Sequence, residues 1–499
     1  MAKHSKMFMS SPISKSAFMK AEQCLKHFYL YKNHPNLRDR LSKEKQFIFK
    51  RGTDVGIFAQ QLFPGGVDVT KDEKRNQELF AVKTKMLIDQ GIQTIYEATF
   101  IHDGLLVMVD VLTKHEDKWV AYEVKSSLKI TETYVKDACF QYFVIKNCLP
   151  DLVDFNLLTL NPKYVLEGDL EIAKLFKTTS IMKDAVKNLP YFTHKAQQAK
   201  LTLEQNKIPD IKVGPHCFQP YDCDFIGLCW KNINDSSSVF SIGKLSKQAI
   251  FEFYDNDIKR IEDIDVDKIQ KKEIKIQVKA VKENKEQIYK EEVKQFISAI
   301  KTPYCSLDIE VWMPALPYYQ QTKPFQQIPF LFSMIHEAEG ELKKYSYFKP
   351  IEEDCRKEFL ETILKLTQPF QTILMFDKSL EENVLNQLAV LFPEYQKDID
   401  VLKNKIIDLA EPIRHGNYYH PDMKGNFTLK SIAPLVHQES GFDNLDIQSG
   451  ISAMYIYESL LSEENTIEKE NIKVRLIDYC EMDALITHQL LNYFQERTQ

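Results

Sequence analysis

The chain has no apolar run long enough to cross a bilayer. Its most apolar stretches, 105–112 and 328–335, are eight residues long, where about twenty are needed. Residues 1–18 mix lysine with serine and carry no apolar signal-peptide core. No internal repeat and no low-complexity tract interrupts the sequence. Together these absences exclude collagen-like, disordered and membrane-spanning classes, and they point to a cytoplasmic protein. Nine cysteines in 499 residues are too few for a disulfide scaffold, and in the cytoplasm thiols are reduced, metal-bound or buried. Nor does one sign of charge dominate, with 65 Lys+Arg against 71 Asp+Glu.

What is present is an ordinary globular composition, 44% hydrophobic and 27% charged. At about 150 residues per domain the length predicts two to four domains. The charge is unevenly placed. Residues 1–240 hold 33 basic and 28 acidic side chains, and residues 241–499 hold 32 and 43. Residues 1–50 alone hold 11 and 3, a basic excess that suits either a polyanion or a solvated helix surface.

Hydrophobic spacing predicts helix over 13–60, with Phe18, Cys24 and Phe28 on one face. Three alternating runs between Ile95 and Val124 predict adjacent strands. A helix is expected over 132–148, a strand over 154–161 and helix over 168–206. A Cys/Pro/Gly-rich knot at 214–230 precedes a linker at 231–238. Residues 236–300 read as a charged helical connector between a domain over 1–235 and another over 301–499. That second segment opens with two strand-like runs.

The first run of chemistry is Asp110 on one strand and Glu123-x-Lys125 on the next, with Glu97 on the strand before. Side chains two apart share one face of a strand, so Glu123 and Lys125 face Asp110 across a hairpin. Paired carboxylates repel unless a divalent cation with oxygen ligands joins them. A lysine beside them can hold or deprotonate a water, an arrangement suited to phosphodiester hydrolysis. Gln141 and Tyr142 follow on the next helix. A charged hairpin facing water is the plain alternative.

This order, Glu97, Asp110, Glu123-x-Lys125, Gln141-Tyr142, resembles the RecB-like branch of the PD-(D/E)XK nucleases, which includes the CRISPR-associated RecB-like exonucleases. The resemblance implies a restriction-endonuclease-like fold with Asp110 and Glu123 as ligands of Mg²⁺ or Mn²⁺. It implies Lys125 as the catalytic lysine and Gln141 and Tyr142 as DNA-positioning residues. Gly56 stands where such enzymes often carry a metal-binding histidine.

Cys217, Cys223 and Cys229 fall within thirteen residues rich in turn formers, a set suited to a metal or an iron–sulfur site. Cys24 precedes the strands and is available as a fourth ligand, and His216 is an alternative to one thiol. One cysteine before the nuclease motifs and three after resembles the iron–sulfur type of RecB-like nuclease. The first gap holds five residues where two are usual. The resemblance implies a 4Fe-4S cluster; structural zinc is the competitor.

Asp308 and Glu310 share one strand face, and Tyr479 and Asp483 are i,i+4 neighbours on a helix. Between them lie Asp377 and Glu381. Four acids from separate elements can hold two divalent ions about 4 Å apart. The set resembles the DnaQ-like, RNase H-fold exonucleases of the DEDD type with Tyr before the last Asp. It implies Asp308, Glu310 and Asp483 as ligands, Tyr479 as the residue that places the nucleophile, and either Asp377 or Glu381 as the remaining ligand. Asp408 matches a recurrent acid after that motif. The whole, over about residues 10–495, is similar to an uncharacterised bacterial family that joins these two domains. The expected protein is therefore an α/β, metal-dependent DNA nuclease acting on single-stranded or free ends, in repair or defence. An RNA exonuclease is one alternative. A nucleic-acid-binding or assembly subunit with one or both sites inactive is another, kept open by Gly56 and Glu381.

Overall fold

The acids of the N-terminal half lie on a sheet whose strands are, in chain order, β1 (Ile13–Ser14), β2 (Val67–Asp68), β3 (Thr94–His102), β4 (Leu105–His115), β5 (Lys118–Lys125), β6 (Leu152–Leu160) and β7 (Phe176–Ser180). The structure, a computed structural model, describes residues 11–71, 76–233, 235–437, 442 and 445–499. Residues 1–10 of the basic terminal stretch and Asn234 of the linker lie outside the described residues.

Chain contacts divide the protein into two units. The first comprises residues 1–231 and 315–324, the second residues 232–314 and 325–499. Both are mixed α/β, each built on an open sheet of mixed strand direction. No helix among the described residues is long and apolar enough to cross a membrane.

In the first unit the strand order is β2-β3-β4-β5-β6-β7. β3, β4 and β5 run antiparallel, and β5 and β6 run parallel. The three alternating runs thus fold as the three central strands. Tight turns join them at Asp103-Gly104 and Glu116-Asp117, where all four residues have positive φ. α1 (Lys15–Gln23), α2 (Leu25–Asn33) and α3 (Lys43–Ala59) replace the continuous helix expected over 13–60. The break between α1 and α2 is Cys24, whose φ of −166° is extended. α4 (Gln77–Asp89) packs on β3, and α5 (Glu132–Cys148) covers the same face. α5 begins and ends where the sequence predicts. The helix expected over 168–206 is broken into a single helical turn (Ile172–Leu175), β7, and α6 (Met182–Glu204). Two threonines in the run Phe-Lys-Thr-Thr-Ser favour an edge strand there. Phe18 and Phe140 stack at 3.8 Å, at the heart of a core closed by α1, α5 and α6.

β4 is forked. Its first residues pair with β1, Ile13 with Leu105 and Ser14 with Leu106. Its last five pair with β5, ending at Val111 with Tyr122. Between the two pairings lies Asp110, so the backbone ladder is open beside the first acids.

The second unit carries a sheet in the order β11-β10-β9-β12-β13. These strands are β9 (Tyr304–Trp312), β10 (Ile328–Ala338), β11 (Glu341–Phe348), β12 (Thr372–Met375) and β13 (Ile406–Asp408), and β8 (Gln287–Ile288) pairs separately with β14 (Tyr418–Tyr419). β9, β10 and β11 are antiparallel, while β12 and β13 run parallel to β9. Two helices bear on the site here, α7 (Ser379–Leu391) and the 33-residue α8 (Thr466–Thr498). Residues 236–300, read as a connector, fold within this unit. Ile276, Ala280 and Val293 pack against Leu490, Leu491 and Phe494 of α8. Their apolar stripe explains this: a charged helix with one apolar face is covered by a neighbouring core.

Candidate functional site

Three clusters of chemistry-bearing side chains emerge, two of carboxylates and one of thiols.

The first carboxylate cluster sits at the fork in β4. Asp110 Oδ2 accepts the Val124 N–H at 2.6 Å, replacing the missing ladder bond. Glu97 occupies β3 with φ 55°, a left-handed conformation that costs a non-glycine residue roughly 1–3 kcal/mol and persists only when its surroundings hold it. Glu123 is 3% exposed. Its Oε1 accepts from Lys125 at 2.8 Å and from Lys15 at 2.7 Å, while its Oε2 is buried without a hydrogen-bond partner. Lys125 also reaches Asp137 Oδ2 at 2.6 Å, and Lys15 approaches it at 3.6 Å. The Tyr134 ring centroid lies 5.4 Å from the Lys125 Nζ. One turn beyond Asp137, Gln141 is fully buried, and neither end of its amide has a partner. Tyr142 beside it is buried in the core.

The charges divide sharply within this cluster. Burial and then Asp110 push Glu97 up to about 8. Burial and then Glu123 push Asp110 up to about 7. Burial acts on Glu123 too, but Lys125 and Lys15 outweigh it and hold that carboxyl down to about 2. Both lysines are raised against the opposing effect of burial by Asp137 and Glu123. Asp68 acts on Glu97 as well, so the carboxyls of this cluster outnumber its two ammoniums.

The second carboxylate cluster has no pair of lysines shared among its acids; the cation that acts on it is Lys430, whose charge opposes the rise of Asp483. Asp308 and Glu310 share a face of β9, and Asp483 approaches from α8. One oxygen from each lies within 4.8 Å of the others. Among the described residues this is the single group of three or more Cys, His, Asp or Glu side chains gathered so closely. Glu381, in the first turn of α7, is 5% exposed with Oε2 unpartnered. Burial raises Asp308 to about 7 and Glu381 to about 8. Burial and the Asp308 charge lift Glu310 and Asp483 well above the carboxylate range. The Tyr479 hydroxyl bonds Asp483, and burial followed by that charge raises the phenol.

Asp377 and Asp408 stand apart from the triad. Asp408 accepts from the backbone N–H of Asp377 and Ala410, both at 2.9 Å, and from Arg414. It therefore pins the turn that follows β12. Asp377, in that turn with φ 62°, pairs with Arg414 at 3.1 Å and is 60% exposed. Of the two acids in the middle motif, Glu381 is the one buried beside the triad.

The thiol cluster joins the two ends of the first unit. Cys24, Cys217, Cys223 and Cys229 line one small pocket with an apolar shell that includes Leu30, Phe225 and Trp230. The Cys223 N–H donates to the Cys217 carbonyl at 2.8 Å, closing the loop between them. Asp224 Oδ2 meets Lys20 at 2.5 Å, Arg38 at 3.2 Å and His27 at 3.4 Å. Gln23 donates to the carbonyls of His216 and Tyr221 at 2.8 and 2.7 Å. Gly227 donates its N–H to Asp39 at 3.0 Å, and a Cβ there would stand 2.5 Å from the same carboxylate. Burial raises Cys24 and Cys229 and pushes Cys223 up to about 12. Gly56 lies on α3 with no atom within 4 Å of where its Cβ would be.

Sequence reasoning missed Lys15, Asp137 and Cys480. Asp137 had a signal, a lone acid amid the apolar run of α5. Lys15 had none, since it meets Glu123 across 108 residues. Cys480, treated as an ordinary core residue, directs its thiol to Asp308 Oδ2 at 3.3 Å.

Residues 305–428 match the model of a family described as Domain of unknown function (DUF2779). No curated protein and no solved structure matches the chain.

Proposed function

We propose that the protein is a metal-dependent nuclease with two carboxylate centres. In this reading the first unit is restriction-endonuclease-like and the core of the second is RNase H-like. The observation that carries it is the second cluster: three acids with oxygens within 4.8 Å and a fourth, Glu381, buried beside them. Uncompensated buried carboxylates are costly, and oxygen-only ligand sets of this kind suit Mg²⁺ or Mn²⁺. Divalent cations bound there supply Lewis-acid activation of water and stabilisation of the leaving oxygen. Asp308, Glu310, Glu381 and Asp483 are the residues that hold them. Tyr479, anchored to Asp483, orients the attacking water. In the first centre Glu97, Asp110 and Glu123 are the metal-facing acids, and Lys125 is fixed between Glu123 and Asp137 to hold a water. Gln141 offers an unpaired amide to the nucleic acid.

The thiol pocket fits a metal group by its donor set. A single zinc with Zn–S of about 2.3 Å holds its sulfurs about 3.8 Å apart, whereas the four cysteines are not among the groups gathered within 4.8 Å. The wider spacing favours a 4Fe-4S cluster held by Cys24, Cys217, Cys223 and Cys229. Such a group ties α1 and α2 to the 214–230 loop.

The test is degradation of end-labelled single-stranded DNA, duplex DNA and RNA by the purified protein with Mn²⁺, alongside Asp110→Asn and Asp483→Asn. Loss of activity in either variant supports the reading. If no substrate is degraded and neither substitution changes Mn²⁺ binding, the reading fails. A second reading, in which the first centre only binds nucleic acid, draws on one observation: Glu97, Asp110 and Glu123 are not gathered as closely as the triad. It requires Asp110→Asn to leave the rate unchanged. A brown, iron-containing protein supports the cluster, and a colourless zinc-containing one replaces it with zinc.

A further inference from the structure

Glu123 Oε1 is shared by two ammoniums, and only one of them belongs to the Glu123-x-Lys125 pair. The other, Lys15, arrives from the opposite end of the unit. It is the first residue of α1, whose entry is fixed by the pairing of β1 with β4 and by the Ser14 hydroxyl, which accepts from the Ala17 N–H at 3.3 Å. The far end of α1 is held by Gln23 and Lys20 on the 214–230 loop. Lys15 is thus delivered to Glu123 by a helix anchored at both ends.

The two lysines are not equally bound. Lys125 has a second close contact, 2.6 Å to Asp137, while the corresponding approach of Lys15 is 3.6 Å. The Lys15 side chain is 25% exposed and that of Lys125 is 16%. A divalent cation drawn to Glu123 repels both ammoniums, since like charges a few ångströms apart interact strongly in a part-buried site. The less firmly held one yields first. Lys15 also sits at the positive end of a nine-residue helix, where a cation is disfavoured and an anion is welcome. Glu123 Oε2 and the Gln141 amide, all buried without partners, mark the same site as built for a ligand.

We propose that Lys15 is a second working lysine of the first centre: it holds Glu123 and Asp137 while the cation position is open, and passes to the substrate phosphate when a divalent cation takes Glu123. Lys125 stays on Asp137 throughout. This rests on the first centre being a metal-dependent nuclease site, and it assigns to the two lysines different partners in the loaded state.

The test uses the full chain carrying Asp483→Asn, so that the second centre does not contribute. Lys15→Met is compared with Lys15→Arg and the parent for Mn²⁺ binding without nucleic acid, and for hydrolysis of a single-stranded oligonucleotide over a range of salt. Lys15→Met is expected to bind Mn²⁺ several-fold more tightly, because a competing cation is gone. Its KM should rise about tenfold, the scale of one charge-assisted hydrogen bond, with kcat changed less. The salt dependence of KM should fall by about one phosphate contact. Lys15→Arg should restore KM and its salt dependence. If Lys15→Met binds Mn²⁺ no more tightly and keeps the parental salt dependence, the proposal is overturned while the nuclease reading stands. If the parent itself binds no Mn²⁺ at the first centre, that reading fails and the proposal with it.

Discussion

The two carboxylate centres solve one electrostatic problem in opposite ways. The first pairs Glu123 and Asp137 with Lys15 and Lys125, so part of its charge is balanced from within. The second gathers half-buried Asp308 with buried Glu310, Glu381 and Asp483, with the Lys430 charge opposing the rise of Asp483, and leaves the rest to protons or metal. Acids held by lysines keep their charge without metal, whereas raised ones are stable only when neutralised. The difference shows in one pKa direction: Glu97 and Asp110 are raised like the four acids of the second centre, and Glu123, paired with both lysines, is the acid held down.

The sharpest way to break this contrast is to remove one acid from each centre in the presence of a chelator. Glu123→Gln leaves two ammoniums facing one carboxylate, and breaking a part-buried pair in this way costs about 3–5 kcal/mol. Asp483→Asn removes an acid raised by burial and is expected to stabilise the chelated protein by roughly 1–3 kcal/mol at pH 7. Urea unfolding of both variants measures the signs, and equal signs would erase the distinction.

Next in size is the response to cation. Mn²⁺ at about a hundred times its dissociation constant stabilises by about 2.7 kcal/mol per site. The second centre's share of that gain should disappear in Asp483→Asn, read as a smaller Mn²⁺-induced rise in Tm, while the first centre's share remains.

Measured per pH unit, the smallest effect is the pH dependence without metal. Asp308 and Glu381 have folded values near 7 and 8, above their unfolded values of about 4. The folded state therefore binds more protons in that window, and stability falls as pH rises from about 4 to 8, by up to about 1.4 kcal/mol per pH unit for each group. Glu123, held near 2, acts oppositely: its contribution is present above about 4.5 and is lost as pH falls toward 2. Denaturant midpoints across pH 3 to 9 separate the two slopes, and a shallower alkaline profile in Asp308→Asn places that one at the second centre.

Much of this arrangement was legible because it is local. Asp110 and Glu123 announce themselves as acids inside alternating apolar strands, and β9 was bounded by its own hydrophobic run. Tyr479 and Asp483 are one helical turn apart, so periodicity alone puts them on one face. What escaped depends on long closure. Lys15 meets Glu123 only because β1 lies in the fork of β4, and two residues of strand carry no periodic signal. Cys480 looked like filler because its neighbour Asp308 is 172 residues away. The fate of Asp377 was likewise invisible, since Arg414 and Asp408, 37 and 31 residues on, decide where its turn is pinned.

One passage of the chain changes how the protein can be divided. Residues 315–324 follow β9 directly yet belong to the first unit, where Thr322 and Gln321 pair with Leu166 at 2.9 and 2.8 Å and the Gln320 amide grips Gly168 at both ends. The polypeptide therefore passes between the units three times, so a single protease nick in 231–238 leaves residues 315–324 of the first unit on the fragment that carries the second. A gene fragment ending at residue 231 encodes a first unit without its last ten residues. For modular rearrangement, the separable piece is not the N-terminal half of the gene but a circuit that includes the turn after β9.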